Sequence, residues 1–108
     1  MTQGVDGMGQ PLFETAQQSD TINNYVMTAN TAQYATVPTG ANFVKIGRTA
    51  GADLLVLLNA TSGMTVPSSN VTNGSGYEVN PLNLSLNGAT SIGIIATGAC
   101  LVSLSFFS

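Results

Sequence analysis

Apolar and polar residues alternate with a period of two in several short segments after residue 20, which is the pattern of half-buried β-strands. The clearest example is Cys100–Phe107, in which every second residue from Cys100 is apolar. We expect that face to point into a core, which makes the Cys100 thiol a small buried group and not a nucleophile. The strand Asn42–Gly47 alternates in the same way and turns Val44 and Ile46 inward.

Eight short strands follow at spacings near ten residues, typical of an all-β sandwich, jelly roll or barrel. Thr, Val, Ile and Gly are common, whereas the helix-favouring Lys, Glu and Arg are scarce. The predicted strands are Ile22–Met27, Thr31–Val37, Asn42–Gly47, Leu54–Asn59, Met64–Val66, Leu82–Leu86, Thr90–Ala96 and Cys100–Phe107.

Turn residues separate these strands. Val37–Gly40 fits a type I turn in which Pro38 presets φ and Gly40 closes the turn. Asn87 and Gly88 lie between two alternating apolar runs, the strongest hairpin signal in the chain. The sequence therefore predicts a meander of three antiparallel strands over residues 82–107.

The strand around Leu54–Leu58 is apolar on both faces, so both faces must be covered. One face belongs to the core, and the other is covered by an N-terminal arm, a loop or another subunit. Leu55 and Leu57 are therefore candidate partner contacts. The alternative is an ordinary exposed leucine or two, which is common.

Residues 1–20 are rich in Gly and Gln and show no sustained period, which predicts an extended arm ahead of a β-sandwich domain at residues 21–108. Leu12 and Phe13 are the apolar anchor of this arm. Either the arm is a frayed tail, or it docks Leu12 and Phe13 on a neighbouring subunit. We favour docking.

Residues 67–81 form the longest stretch without alternation, bounded by Pro67 and Pro81. Loops of this length in compact domains usually make contacts or stay mobile. Val71 and Tyr77 are the side chains that we expect to contact a partner.

Only 6% of the 108 residues are charged, against about 25% in ordinary soluble domains. Lys45 and Arg48 are the two basic residues, too few to neutralise a run of phosphates or an anionic membrane surface. Repulsion between copies is weak on such a surface, so we expect other copies or a larger body to cover it. A monomer kept soluble by Ser, Thr and Asn is the alternative.

The sequence gives little support for a catalytic function. The chain has no His, so a general base would have to be Asp, Glu or Lys. Asp53 beside Lys45 or Arg48 is better explained as a surface ion pair. No metal-ligand spacing and no phosphate loop is present, so we predict a protein that is not an enzyme and holds no metal or cofactor. The single Cys excludes an internal disulfide.

The longest strictly apolar run is Leu54–Leu58, far short of the roughly 20 residues that cross a bilayer. The first seven residues lack the basic and apolar regions of a signal peptide. We therefore expect synthesis in the cytoplasm and no membrane partner.

Four segments carry a recognisable pattern of turns and strands: Val37–Val44, Asp53–Val56, Val66–Pro81 and Gly88–Ile92. Through them, residues 31–108 resemble the head decoration, or cement, proteins of tailed bacteriophages. The resemblance lies in the pattern of turns and strands. It implies a jelly-roll β-sandwich that forms a homotrimer on the capsid shell near local threefold positions, with the major capsid protein as partner.

We therefore expect a structural virion protein on the surface of a phage head, made in the host cytoplasm. It would clamp capsid subunits by burying apolar patches and by adding its arm as a strand. The alternative is a tail or fibre β-sandwich that binds a host-surface carbohydrate. Aromatic platforms for sugars are few, because the chain has three Tyr and no Trp.

Overall fold

The computed structural model describes residues 21–108, which contain eight β-strands. The arm prediction, with Leu12 and Phe13, lies outside the described residues. The strands are β1 (Thr21–Met27), β2 (Gln33–Thr36), β3 (Phe43–Arg48), β4 (Leu54–Leu58), β5 (Glu78–Val79), β6 (Asn83–Ser85), β7 (Ser91–Ala96) and β8 (Cys100–Phe107).

The strands form two four-stranded sheets, packed face to face. The first sheet has the order β1-β8-β3-β6 and the second the order β2-β7-β4-β5, and all named strand pairs are antiparallel. The predicted all-β antiparallel sandwich is confirmed. Consecutive strands change sheet at every connection except the one between β4 and β5.

The predicted meander over residues 82–107 is wrong, because β6, β7 and β8 lie in alternating sheets. The turn at its start does form: Asn87 and Gly88 have φ of 50° and 80°, and the Ala89 N–H donates to the Leu86 carbonyl at 2.8 Å. Leu86 and Ala89 are both buried. Because the residues before and after the turn are both buried, the chain crosses the core at this point. The turn therefore joins strands of opposite sheets, where we had predicted a hairpin within one sheet.

The turn near Pro38 forms one residue later than predicted. The Ala41 N–H donates to the Pro38 carbonyl at 3.1 Å, and Gly40 has a φ of 86° at the third position. A left-handed third residue is the mark of a type II turn, which is why glycine stands there.

The predicted strand Met64–Val66 is also wrong, and the short strand β5 was missed. β5 pairs with the outer edge of β4, placing Val79 opposite Leu55. β5 therefore occupies the outer edge of β4. The segment that contains Met64 lies across the outer face of the second sheet and does not extend the sheet at its edge.

The core lies between the sheets and follows the alternation read from the sequence. Val44 and Ile46 are buried as predicted, and so are the four residues of the inward face of β8. Their partners from the second sheet come from β7 and β4. Each such side chain contributes about 1.5–3 kcal/mol by leaving water. The residues of these four strands that are buried in this main core are Val44, Ile46, Leu54, Val56, Ile92, Ile94, Ala96, Cys100, Val102, Leu104 and Phe106.

A second, smaller cluster covers the outer face of the second sheet. Leu55 and Ile95 point outward from the core and pack under Ala60 and Met64. Of the three covers that the sequence left open for the Leu54–Leu58 strand, a loop of the same chain is the one observed.

Candidate interaction surface

The outer face of the first sheet carries the largest group of exposed apolar side chains among residues 21–108. Strand register places the outward residues of β1, β8, β3 and β6 in rows across this face. Lys45 is the only charged side chain in those rows. Four large apolar residues of the face are exposed: Ile22, Val26, Phe43 and Leu101.

Two phenylalanines stack at one end of this face. Phe43 of β3 lies directly opposite Phe107 of β8, and their ring centroids are 5.1 Å apart with an interplanar angle of 10°. Such a pair contributes about 0.5–1.5 kcal/mol beyond its buried area. Phe43 nevertheless remains 44% exposed, so one aromatic surface is available for contact.

An open groove of about 690 Å³ runs beside the stacked pair, above β3 and β6. Its volume lies in the range of about 300–1,000 Å³ that is usual for binding sites. Phe43, Phe107 and Leu84 supply the apolar lining, and Lys45 adds one positive charge to it. The remaining lining residues are uncharged and polar: Asn42, Asn83 and Ser85.

The other end of the same face is also apolar. Val26 lies opposite Leu101 in the strand register, and these side chains are 79% and 45% exposed. Ser103 and Asn24 separate this pair from the phenylalanine end. An apolar pair with uncharged neighbours suits a contact that excludes water.

The outer face of the second sheet is closed by the loop of residues 59–66. The Tyr34 hydroxyl accepts a hydrogen bond from the Met64 backbone N–H at 2.8 Å. Gly93 leaves room for the loop, since a Cβ there would lie 2.8 Å from the Ala60 Cβ. This face therefore offers less apolar surface to a partner than the first sheet.

The structure brings three of the six candidate contact residues together under that loop. Leu55 is 7% exposed, and the partly buried Leu57 and Tyr77 pack against the same cluster. The Tyr77 hydroxyl accepts a hydrogen bond from the Thr65 N–H at 3.4 Å. Val71 stays apart on the surface at 45% exposure. Leu12 and Phe13 lie outside the described residues.

The sequence did not single out the stacked pair or the groove. The alternation of apolar and polar residues already predicted that the Phe43 and Phe107 side chains point away from the core. Their meeting depends on the pairing of β3 with β8, two strands separated by more than 50 residues of chain. Strand alternation carries no information on such a pairing.

Two of the charged residues that were weighed for catalysis, Arg48 and Asp53, make hydrogen bonds to uncharged groups. Arg48 Nη1 donates to the Ala52 carbonyl at 2.9 Å, and Asp53 Oδ1 accepts from Asn80 Nδ2 at 3.1 Å. Among residues 21–108, no three Cys, Asp or Glu side chains are grouped so that they could hold a metal ion. The same part of the chain contains no helix of the length and hydrophobicity needed to cross a membrane.

Comparison with known proteins returns no match: no protein-family model, no curated protein and no solved structure matches the chain.

Proposed function

We propose that this chain is a structural virion protein that binds the assembled head of a tailed bacteriophage and stabilises it. The observation that carries the proposal is the outer face of the first sheet. It exposes four large apolar side chains and a single charge, whereas a loop of the same chain covers Leu55 and Ile95 on the outer face of the second sheet. The end formed by Val26 and Leu101 is the contact with the capsid protein.

The strand order supports a jelly-roll description of the sandwich. Eight strands in two sheets, ordered β1-β8-β3-β6 and β2-β7-β4-β5, fit the double Greek key of that architecture. Jelly rolls occur in viral capsid proteins and also in lectins, so the architecture is compatible with both functions considered for this chain. The homotrimer and its place near a local threefold position come from the resemblance of residues 31–108.

Binding of this kind needs no active site. A protein that binds only the assembled shell stabilises that state by mass action, and disassembly must first release it. The contact buries apolar area and few charges, so the affinity comes mainly from removing water. The proposed protein is therefore a clamp between capsid subunits and not an enzyme.

Co-sedimentation with phage heads that lack this protein tests the proposal. Wild-type protein should bind to saturation and raise the temperature at which the heads release their DNA. Leu101→Glu should lose binding, because it places a carboxylate in the centre of the proposed contact. Thr36→Glu, at an exposed site on β2 of the other sheet, is the matched control and should bind normally. Absence of wild-type binding, or normal binding by Leu101→Glu, would overturn the proposal.

The second candidate function, recognition of a host carbohydrate, is favoured by the groove beside Phe43. An exposed aromatic ring next to the amides of Asn42 and Asn83 offers a stacking surface and hydrogen bonds for a sugar ring. Binding of purified protein to a glycan array, lost in Phe43→Ala and unaccompanied by head binding, would reverse our preference.

A further inference from the structure

We propose that the groove beside Phe43 and Phe107 is the docking site for residues 12–14 of the same chain, Leu12, Phe13 and Glu14. The docking concerns the free subunit and does not depend on the proposed virion function. It is an alternative to the docking on a neighbouring subunit that we favoured from the sequence. It assigns an occupant to the groove beside the stacked aromatic pair of the first sheet.

The chemistry of the groove matches this segment. Its lining combines apolar side chains, from Phe43, Phe107 and Leu84, with polar ones. Leu12 and Phe13 are the only adjacent pair of large apolar residues in the first twenty. Side chains of this kind gain most by leaving water for an apolar site.

The course of the chain brings the segment to the correct end of the sheet. β1 begins at Thr21, which lies opposite Phe106 and so next to Phe107. A smaller depression of about 120 Å³, lined by Thr21 and Phe107 among others, shares Phe107 with the groove. The chain therefore enters the first sheet beside the groove.

The connecting length is sufficient. Nine residues from Leu12 to Thr21 span up to about 30 Å when extended. β1 and β6 are three strand spacings apart, or about 15 Å across the sheet. Docking within one chain is also favoured by the high effective concentration of a tethered segment.

Charge complementarity fixes the orientation. Lys45 lines the groove and is one of two cations in the chain. Glu14 directly follows Phe13, and Asp6 and Asp20 are the other acids of the first twenty residues. An exposed pair between Glu14 and Lys45 adds little affinity but selects one register of the segment.

Disulfide trapping in the full-length protein tests the docking. Thr15→Cys combined with Asn83→Cys, in the lining of the groove, should form an intrachain disulfide that changes gel mobility until it is reduced. Thr15→Cys with Thr36→Cys, on the other sheet, is the matched control and should stay reduced. The native Cys100 is buried, and the single variant Thr15→Cys measures any link to it. Failure of the Asn83 pair to link, or links only between chains, would overturn the proposal.

Two sets of substitutions in the Thr15→Cys, Asn83→Cys protein separate docking from random collision. Leu12→Ser with Phe13→Ser should abolish the disulfide, whereas Val5→Ser with Met8→Ser, which alters other apolar residues of the arm, should not.

Glu14→Lys and Lys45→Glu should each slow formation of the disulfide, and the double charge reversal should restore its rate. Equal effects of both serine pairs, or no restoration, would contradict the assignment. These readouts need no phage heads, so they fail or succeed independently of the head-binding experiment.

Discussion

Two asparagines fix the ends of irregular segments to neighbouring strands. Asn59 and Asn80 have φ of 64° and 51°, a left-handed conformation that Asn tolerates better than most residues. The Asn80 backbone N–H donates to the Leu54 carbonyl at 2.7 Å, and its Oδ1 accepts from the Leu54 N–H at 2.8 Å. Asn59 bonds Ser91 and Thr90 in the same way. Each asparagine thus makes one backbone and one side-chain hydrogen bond to a neighbouring strand, in place of a pair of backbone hydrogen bonds between strands.

Asn80→Ala should therefore lower the free energy of unfolding by about 1–3 kcal/mol, because it leaves the Leu54 N–H without its acceptor and keeps a left-handed backbone. Urea unfolding followed by circular dichroism measures the change. Asn70→Ala, at an exposed loop position, is the control and should change stability by less than about 0.5 kcal/mol. Equal effects at both positions would contradict the role assigned to Asn80.

Gly93 is the second residue on which the fold depends. A Cβ there would meet the Met64 sulfur, the Ala60 Cβ at 2.8 Å and the Tyr34 ring at 3.1 Å. Gly93→Ala should cost about 1–3 kcal/mol of stability by forcing the loop of residues 59–66 away from the sheet. Gly76→Ala adds a methyl group where no atom lies within 4 Å and should be close to neutral in the same urea unfolding assay. A neutral Gly93→Ala would show that the loop does not lie tightly on the sheet.

At the scale of elements, the loop of residues 59–66 acts as the cover of the second sheet. Tyr34→Phe removes the acceptor of the Met64 N–H and should weaken the closed loop by about 1 kcal/mol, or about fivefold in its opening equilibrium. Amide hydrogen exchange at Met64 measures this opening. Tyr25→Phe, a partly buried tyrosine that packs against the core of the sandwich, should leave Met64 exchange unchanged. Faster exchange in both variants would indicate general destabilisation in place of loop opening.

The strands and turns also show which features of the fold could be predicted from the sequence and which could not. Alternation correctly assigned the inward faces of β3 and β8, because burial of one side of a strand follows directly from a period of two. The pairing of strands was not accessible, since Asn87 and Gly88 define a turn but not the sheet to which the next strand belongs. β5 has only two residues, too few to show an alternating pattern, and it forms by pairing with the free edge of β4. The groove depends on the register between β3, β6 and β8, which is a property of the assembled sheet.

The whole molecule is set apart by its scarcity of charge. Residues 21–108 carry two acidic and two basic side chains, and the first twenty residues carry the remaining acids. A contact made by such a surface draws little on ion pairs. Binding of the protein to phage heads should therefore change by less than about twofold between about 0.05 and 0.5 M salt, a range that strongly screens surface charges. A loss of binding in high salt, measured by co-sedimentation, would contradict an apolar contact.

The central claim is that neighbouring molecules cover this weakly charged surface. Sedimentation equilibrium of the purified full-length protein over a wide concentration range tests it most directly. The account predicts a stable species with three times the 11.0 kDa mass of the chain. A single species with the mass of one chain, persisting at the highest concentration, would contradict it.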